Sequence, residues 1–270
     1  VRRAVSLGLV GTMLAVASLS VASLALAQQR LPERPRALPQ PRVHRGIESY
    51  YDRQLAQVDQ LIRLEHLSRA NAMLEQLAEA GAPAADVRKR RIRIALAVGE
   101  NGRARDLCRE ALGENPDDVE TWRRLAAAEV ALGDPDAARA AVDRYLRLID
   151  DPRQGFAAAI DVLASGEHPA ATVAVIDSAR TVLGDPAAFA RRRAVGLLQL
   201  DRPVEAAREA RADLVSSPYN LPFLRRDLLG EGAPVLPRAF DRALLDLAGE
   251  PRAVPELAIL AANVLITRGE

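Results

Sequence analysis

Apolar and polar positions follow a helical period along most of the chain, and the period is interrupted at regular intervals. The clearest stretch is residues 119–152. There Trp122, Leu125, Ala126 and Val130 keep the spacing of one helix face, Gly133-Asp134-Pro135 breaks it, and Ala138, Val142, Tyr145 and Leu146 start a second stripe. This pattern predicts a helical hairpin. Neither helix can bury its stripe alone, so the hairpin needs a neighbour on each side and the pattern should recur. It does: steps of 34 residues from Ala138 lead back to Ala104 and Ala70, and forward through Thr172 to Ala206.

The same reasoning predicts helix pairs over residues 47–64 and 67–80, 84–98 and 103–113, 117–132 and 136–149, 153–165 and 169–183, and 187–200 and 203–216. Breaks within pairs fall at Glu65-His66, at Gly99-Glu100-Asn101-Gly102, at Gly133-Asp134-Pro135, at Gly166-Glu167-His168-Pro169 and at Asp201-Arg202-Pro203. Gly, Asn and Asp there supply helix caps, and Pro sits where a new helix begins. Breaks between pairs carry Pro83, Pro116, Pro152, Pro186 and Pro218.

On these residues the chain resembles the tetratricopeptide repeat family. That pattern asks for an aromatic early in the first helix, then a Leu and a small residue, a Gly at the turn, small residues in the second helix and a closing Pro. In the third repeat Trp122, Leu125, Ala126, Gly133, Ala138 and Tyr145 match, with the Pro late at Pro152. In the second, Ile92, Ala95, Gly99, Ala104, Ala111 and Pro116 match, while Arg88 replaces the aromatic and Arg91 the Leu. The fourth supplies Phe156, Ile160 and Leu163, the fifth Ala194, Leu197, Ala206 and Pro218, and the first Val58, Leu61, Ala70, Leu74 and Leu77. The resemblance implies an all-α, right-handed solenoid of antiparallel helix hairpins. Five repeats cover residues 47–220, and residues 221–270 form a degenerate repeat and a terminal helix, making about six pairs plus one. In that degenerate part, Phe240, Leu244 and Leu247 form the inward stripe, with Gly230-Glu231-Gly232 in a long loop. Residues 255–268 mirror the first helix of a repeat that stops at its turn, with Ala261, Ala262 and Leu265 on the buried side. Either a single helix caps the stack or the array continues.

Composition narrows the chemistry. The chain of 270 residues is 49% hydrophobic but only 3% aromatic, so its core is built mainly of Ala, Leu and Val, which suits close-packed helices. Residues 1–46 hold seven Arg and one Glu, leaving 30 basic and 35 acidic residues beyond them, a net of −5. A mildly acidic body argues against nucleic acid as a partner, which needs an extended positive surface. Residues 1–27 open with Arg2-Arg3, continue through an apolar run from Ala4 and end in Ala25-Leu26-Ala27. This is the layout of a signal peptide and predicts export to a bacterial-type periplasm with cleavage after Ala27. Retention as an inner-membrane anchor is the alternative, because the 24 uncharged residues 4–27 reach spanning length. Residues 28–46, with Pro32, Pro35, Pro39, Pro41 and five Arg, read as an extended linker.

No catalytic constellation emerges. His44, His66 and His168 lack the i, i+4 partner of a helical metal site, and neither a phosphate loop nor a nucleophile elbow is present. The single Cys108 falls at the place of Leu74 and Val142 and reads as a small buried apolar residue. Asp117-Asp118 and Asp150-Asp151 sit at helix starts, where they cap. No enzyme activity, cofactor or metal is expected.

The candidate site is a set of basic residues repeated on first helices: Lys89, Arg90 and Arg93, Arg123 and Arg124, and Arg191 and Arg192. The resemblance implies that first helices line the concave face, where a partner peptide would lie. These residues would there take an acidic segment or a C-terminal carboxylate. A solvated face balanced by Asp86, Glu120 and Asp136 is the competing reading. The expected function is a non-enzymatic protein-binding scaffold of the cell envelope. Alternatives are the repeat portion of a larger envelope enzyme or export channel, or a self-assembling array.

Overall fold

A computed structural model of the protein describes residues 42–166 and 168–269. The expected signal or anchor, residues 1–27, and residues 28–41 of the expected linker lie outside the described residues. The chain divides into two compact units, residues 1–50 and 51–270. Of the first, the described part, residues 42–50, is helical. The second unit carries the helical array.

Among the described residues the chain forms thirteen α-helices and a short 3-10 turn, with no strand. The first pairs are α1 (Arg42–Arg63) with α2 (Leu67–Glu79), α3 (Ala84–Ala97) with α4 (Asn101–Glu114), and α5 (Val119–Ala131) with α6 (Pro135–Leu148). Then come α7 (Pro152–Ala164) with α8 (Pro169–Leu183) and α9 (Ala190–Gln199) with α10 (Pro203–Ser216). Beyond the turn at Pro218–Asn220 stand α11 (Leu221–Leu229), α12 (Arg238–Ala248) and α13 (Pro255–Arg268). Six pairs and a terminal helix are therefore present, in the all-α tandem arrangement that the periodicity predicts.

The punctuation works as its chemistry requires. Gly99 and Gly133 adopt φ of +80° and +76°, a conformation open to residues without a Cβ, and each ends the first helix of its pair. Pro135, Pro152, Pro169 and Pro203 occupy the first helical position, where no amide hydrogen bond is lost. The carboxylates of Asp118, Asp134 and Asp151 accept from the amides of Thr121 (3.1 Å), Ala137 (2.9 Å) and Gln154 (3.2 Å). Asp118 and Asp151 are thus caps, as their positions imply.

Helices α3 to α10 pack as hairpins. Each second helix from α2 to α8 also lies against the first helix of the next pair, and α3 touches α5 as α5 touches α7. The 34-residue register is an internal layer: Ala70, Ala104, Ala138 and Ala206 are fully buried, and Thr172 nearly so. A methyl fits there because the neighbouring helices approach closely, and a larger side chain at such a place costs about 1–3 kcal/mol. Cys108 shares a second layer with Leu74, Val142 and Ile176, all buried.

Four features depart from expectation. On α13 the buried stripe is Leu257, Leu260, Ala261 and Val264, with Ala262 exposed and Leu265 only partly covered. Helix α1 begins at Arg42, inside the stretch read as linker. Helix α9 begins at Ala190 and not near 187: Gly184 takes the left-handed conformation, Asp185 accepts from the Ala187 amide, and Phe189 has a φ of +56°. The last pair is open. Helix α12 leans on α10 and α13, and α11 on α9 and α13, much more closely than α11 and α12 lean on each other. Phe240 and Leu244 are fully buried by this, whereas Leu247 is only partly covered.

Candidate protein-binding face

The seven basic residues singled out from sequence all lie on first helices, α3, α5 and α9, and each has a carboxylate partner within the chain. Arg90 and Arg93 of α3 both engage Asp59 of α1, Arg90 at 2.7 Å, and Arg90 also donates to the Leu55 carbonyl at 3.3 Å. Lys89 reaches Asp118, the cap of α5, at 3.4 Å. Arg123 and Arg124 meet Glu120 on their own helix at 2.6 and 3.0 Å. Arg192 of α9 meets Asp161 of α7 at 2.8 Å, and Arg191 lies 3.4 Å from Asp227 of α11. Of the balancing acids expected, Glu120 takes that role; Asp59, Asp118, Asp161 and Asp227 supply the rest.

These pairs link consecutive first helices, α1 to α3 to α5 and α7 to α9 to α11, so they run along the face that first helices present. Lys89, Arg123 and Arg192 keep 49%, 40% and 44% of their side-chain surface exposed, and the other four are more covered. The pairing moves the titrations. Burial opposes charge on Asp118, but the Thr121 amide and the Lys89 ammonium outweigh it and hold the carboxyl below its usual range. Glu120 is likewise held low against its burial by Arg123 and Arg124. Burial lowers Arg124, with Glu120 opposing.

The family's first-helix aromatic position shows how sequence departures are accommodated. Trp122 is only partly buried; its indole donates to the Pro116 carbonyl at 2.7 Å, and Arg144 of α6 covers the ring at 5.6 Å. One repeat earlier Arg88 takes that place and pairs with Glu110 and Glu114 of α4 at 3.0 and 2.6 Å. A cation fastened to the second helix thereby substitutes for an aromatic ring leaning on it.

Sequence reasoning missed a polar cavity of about 300 Å³ at the α7–α9–α10 junction. Asp161, Phe189, Arg191, Arg192, Asp213 and Asn220 are among the residues that line it. Asp213 stands on α10 seven residues after Ala206, beside Leu214, in a buried stripe whose one other acid is Glu209. An acid on a buried stripe was the available signal. Nearby, Glu209 of the same helix bridges Arg180 of α8 and Arg193 of α9 at 2.5 and 2.7 Å.

The described residues hold no cluster of three or more His, Cys, Asp or Glu able to bind a metal. Cys108 is buried, and that burial pushes its thiol up to about 12. No described helix is long and apolar enough to cross a membrane.

Fold and face together define a tandem helix-hairpin protein whose first helices are linked from unit to unit by ion pairs. Tetratricopeptide repeat models match residues 55–119 and 95–160, so residues 55–160 carry tetratricopeptide repeats. A crystal structure of a tetratricopeptide repeat protein from Parabacteroides merdae is similar, with 15% identity, a TM-score of 0.49, and coverage of 92% of this chain and 90% of that one. No curated protein matches the sequence.

Proposed function

We propose that the protein is a non-enzymatic scaffold of the bacterial envelope that holds a segment of a partner protein along the face of its first helices. The observation that carries this reading is the line of ion pairs joining α1, α3 and α5, and α7, α9 and α11. It keeps polar, half-exposed side chains in fixed register on one face, while the apolar stripes are used up between repeats. The export layout of residues 1–27 supports the location. An acidic ligand would reach Lys89, Arg123 or Arg192 by displacing Asp118, Glu120 or Asp161. One exposed pair then replaces another at a net gain of about 0–1 kcal/mol. Acidity of the ligand is therefore a weak source of affinity on this face, and the preorganised backbone is the main one.

The test is photo-cross-linking of the chain in envelope extracts. A photoreactive residue is placed at Lys89, Arg123 or Arg192 on first helices, or at Arg105 or Val182 on second helices. Partner cross-links confined to the first-helix set are expected. Equal yields from both sets would overturn the assignment of the face, and a chain found wholly in the cytoplasmic fraction would overturn the location.

A further inference from the structure

The polar cavity at the α7–α9–α10 junction is lined by two carboxylates and two guanidinium groups, but their hydrogen bonds are unevenly shared. Asp161 and Arg192 satisfy each other at 2.8 Å at its edge. Deeper in, Arg191 is the guanidinium near both Asp213 and Asp227, and Asp227 also has Arg226. Arg191 Nη1 lies 3.4 Å from Asp227 Oδ2, yet neither atom makes a hydrogen bond, and Asp227 Oδ1 already accepts from exposed Arg226 at 3.1 Å. Asp213 is left over. It is 8% exposed, its Oδ1 accepts from the Asn220 amide at 3.0 Å, and its buried Oδ2 has no hydrogen-bond partner. A buried acceptor without a donor costs about 1–3 kcal/mol, more when charged. Beside a cavity, such an acceptor can be met by a donor that enters.

Exposed aromatic side chains stand next to two of the lining residues, Arg191 and Asn220. The Phe223 ring is half exposed, with the guanidinium groups of Arg191 and Arg226 at 5.4 and 5.9 Å from its centre, and Tyr219 beside Asn220 is largely exposed. We propose that this cavity takes one cationic side chain, Lys or Arg, from the bound segment, with Asp213 Oδ2 as its acceptor; this rests on the scaffold reading above. The incoming cation gives Asp213 Oδ2 the donor it lacks and leaves Arg191 and Arg226 with Asp227. An entering carboxylate would add a third negative group beside Asp213 and Asp227. Burial raises the Asp213 carboxyl, with Asn220 and Arg191 opposing and Asp227 adding to the rise, which is the behaviour of an undercompensated charge.

The experiment titrates the chain with N-acetyl-arginine amide, N-acetyl-lysine amide and, as controls, N-acetyl-norvaline amide and N-acetyl-glutamate amide, followed by amide NMR. Saturable shifts at Arg191, Asp213 and the Asn220 side chain are expected for the two cations alone. Asp213→Asn, which keeps the shape and the Asn220 contact, should weaken them about tenfold or more. Arg211→Ala, on the same helix outside the cavity, should not. The proposal is overturned if neither cation produces saturable shifts there, if the glutamate derivative binds as well, or if Asp213→Asn binds as tightly. First-helix cross-links that persist alongside any of those results would leave the scaffold reading standing. Their loss while the cations still bind would remove the scaffold and keep the site.

Discussion

Glu209 is the most exacting place to test how this array is held together. Its carboxylate, 11% exposed, receives Arg180 Nη1 and Nη2 at 2.9 and 2.5 Å and Arg193 Nη1 at 2.7 Å, so a single acid ties α8, α9 and α10. Glu209→Leu removes the charge and leaves two guanidinium groups that are 16% and 14% exposed. Breaking a buried pair in this way costs about 3–5 kcal/mol. Arg180 retains the Ala188 carbonyl at 3.1 Å and Arg193 retains Asp177 at 2.9 Å, which places the expected loss near the lower bound, about 3 kcal/mol. For a chain of this size that corresponds to a fall of about 6–12 °C in Tm. Circular dichroism during thermal and urea unfolding reads it. The triple variant Glu209→Leu, Arg180→Met, Arg193→Leu should recover most of the loss, because a packed apolar trio of similar volume needs no charge compensation. Removal of Glu205, whose pair with Arg202 is about two-fifths exposed on both sides, should leave the midpoint where it was. A Glu209→Leu variant within about 0.5 kcal/mol of the parent would refute the reasoning.

Further outcomes rest on individual contacts. A Cβ at Gly166 would overlap Val130 Cγ1, so Gly166→Ala should cost about 1–3 kcal/mol, and adding Val130→Ala should lessen that cost; urea midpoints of the single and double variants decide it. Asp118→Ala removes the cap of α5 and should cost about 1 kcal/mol. Because the folded protein holds Asp118 below the usual carboxylate range, its contribution is present above that range and is lost as pH falls through the depressed value. Acid titration of stability should therefore be shallower there in the variant. Native Cys108, buried and with its thiol pushed up to about 12, should resist a thiol reagent at neutral pH and react once urea unfolds the chain; mass spectrometry of the native protein showing rapid labelling would contradict this.

The helices were legible in the sequence because the signals that start and stop them are local. Pro at the first helical position, Asp one place before it and Gly at the turn all act within a few residues, and the 34-residue return of Ala70, Ala104, Ala138 and Ala206 marks the contact layer directly. The start of α9 was less legible because its turn is made by Phe189, a residue type that rarely takes positive φ. The basic residues were readable as a register. Their partners were not: Asp59, Asp161 and Asp227 come from adjacent repeats, and spacing says which residues share a face without saying which acids reach them. The cavity required Asp213, Asn220 and Arg191 to meet across three elements, and its sequence trace is Asp213, one of two acids on a stripe of Ala and Leu.

The open last pair sets a limit on how the gene could have grown. Upstream of α10 each hairpin touches mainly its two neighbours, so a whole unit can be duplicated or excised and the flanking units still meet through equivalent surfaces. From α10 onward that modularity ends, since α12 rests on α10 and α13, and α11 on α9 and α13. Insertions or losses there would have to carry the entire block from α10 to α13 together.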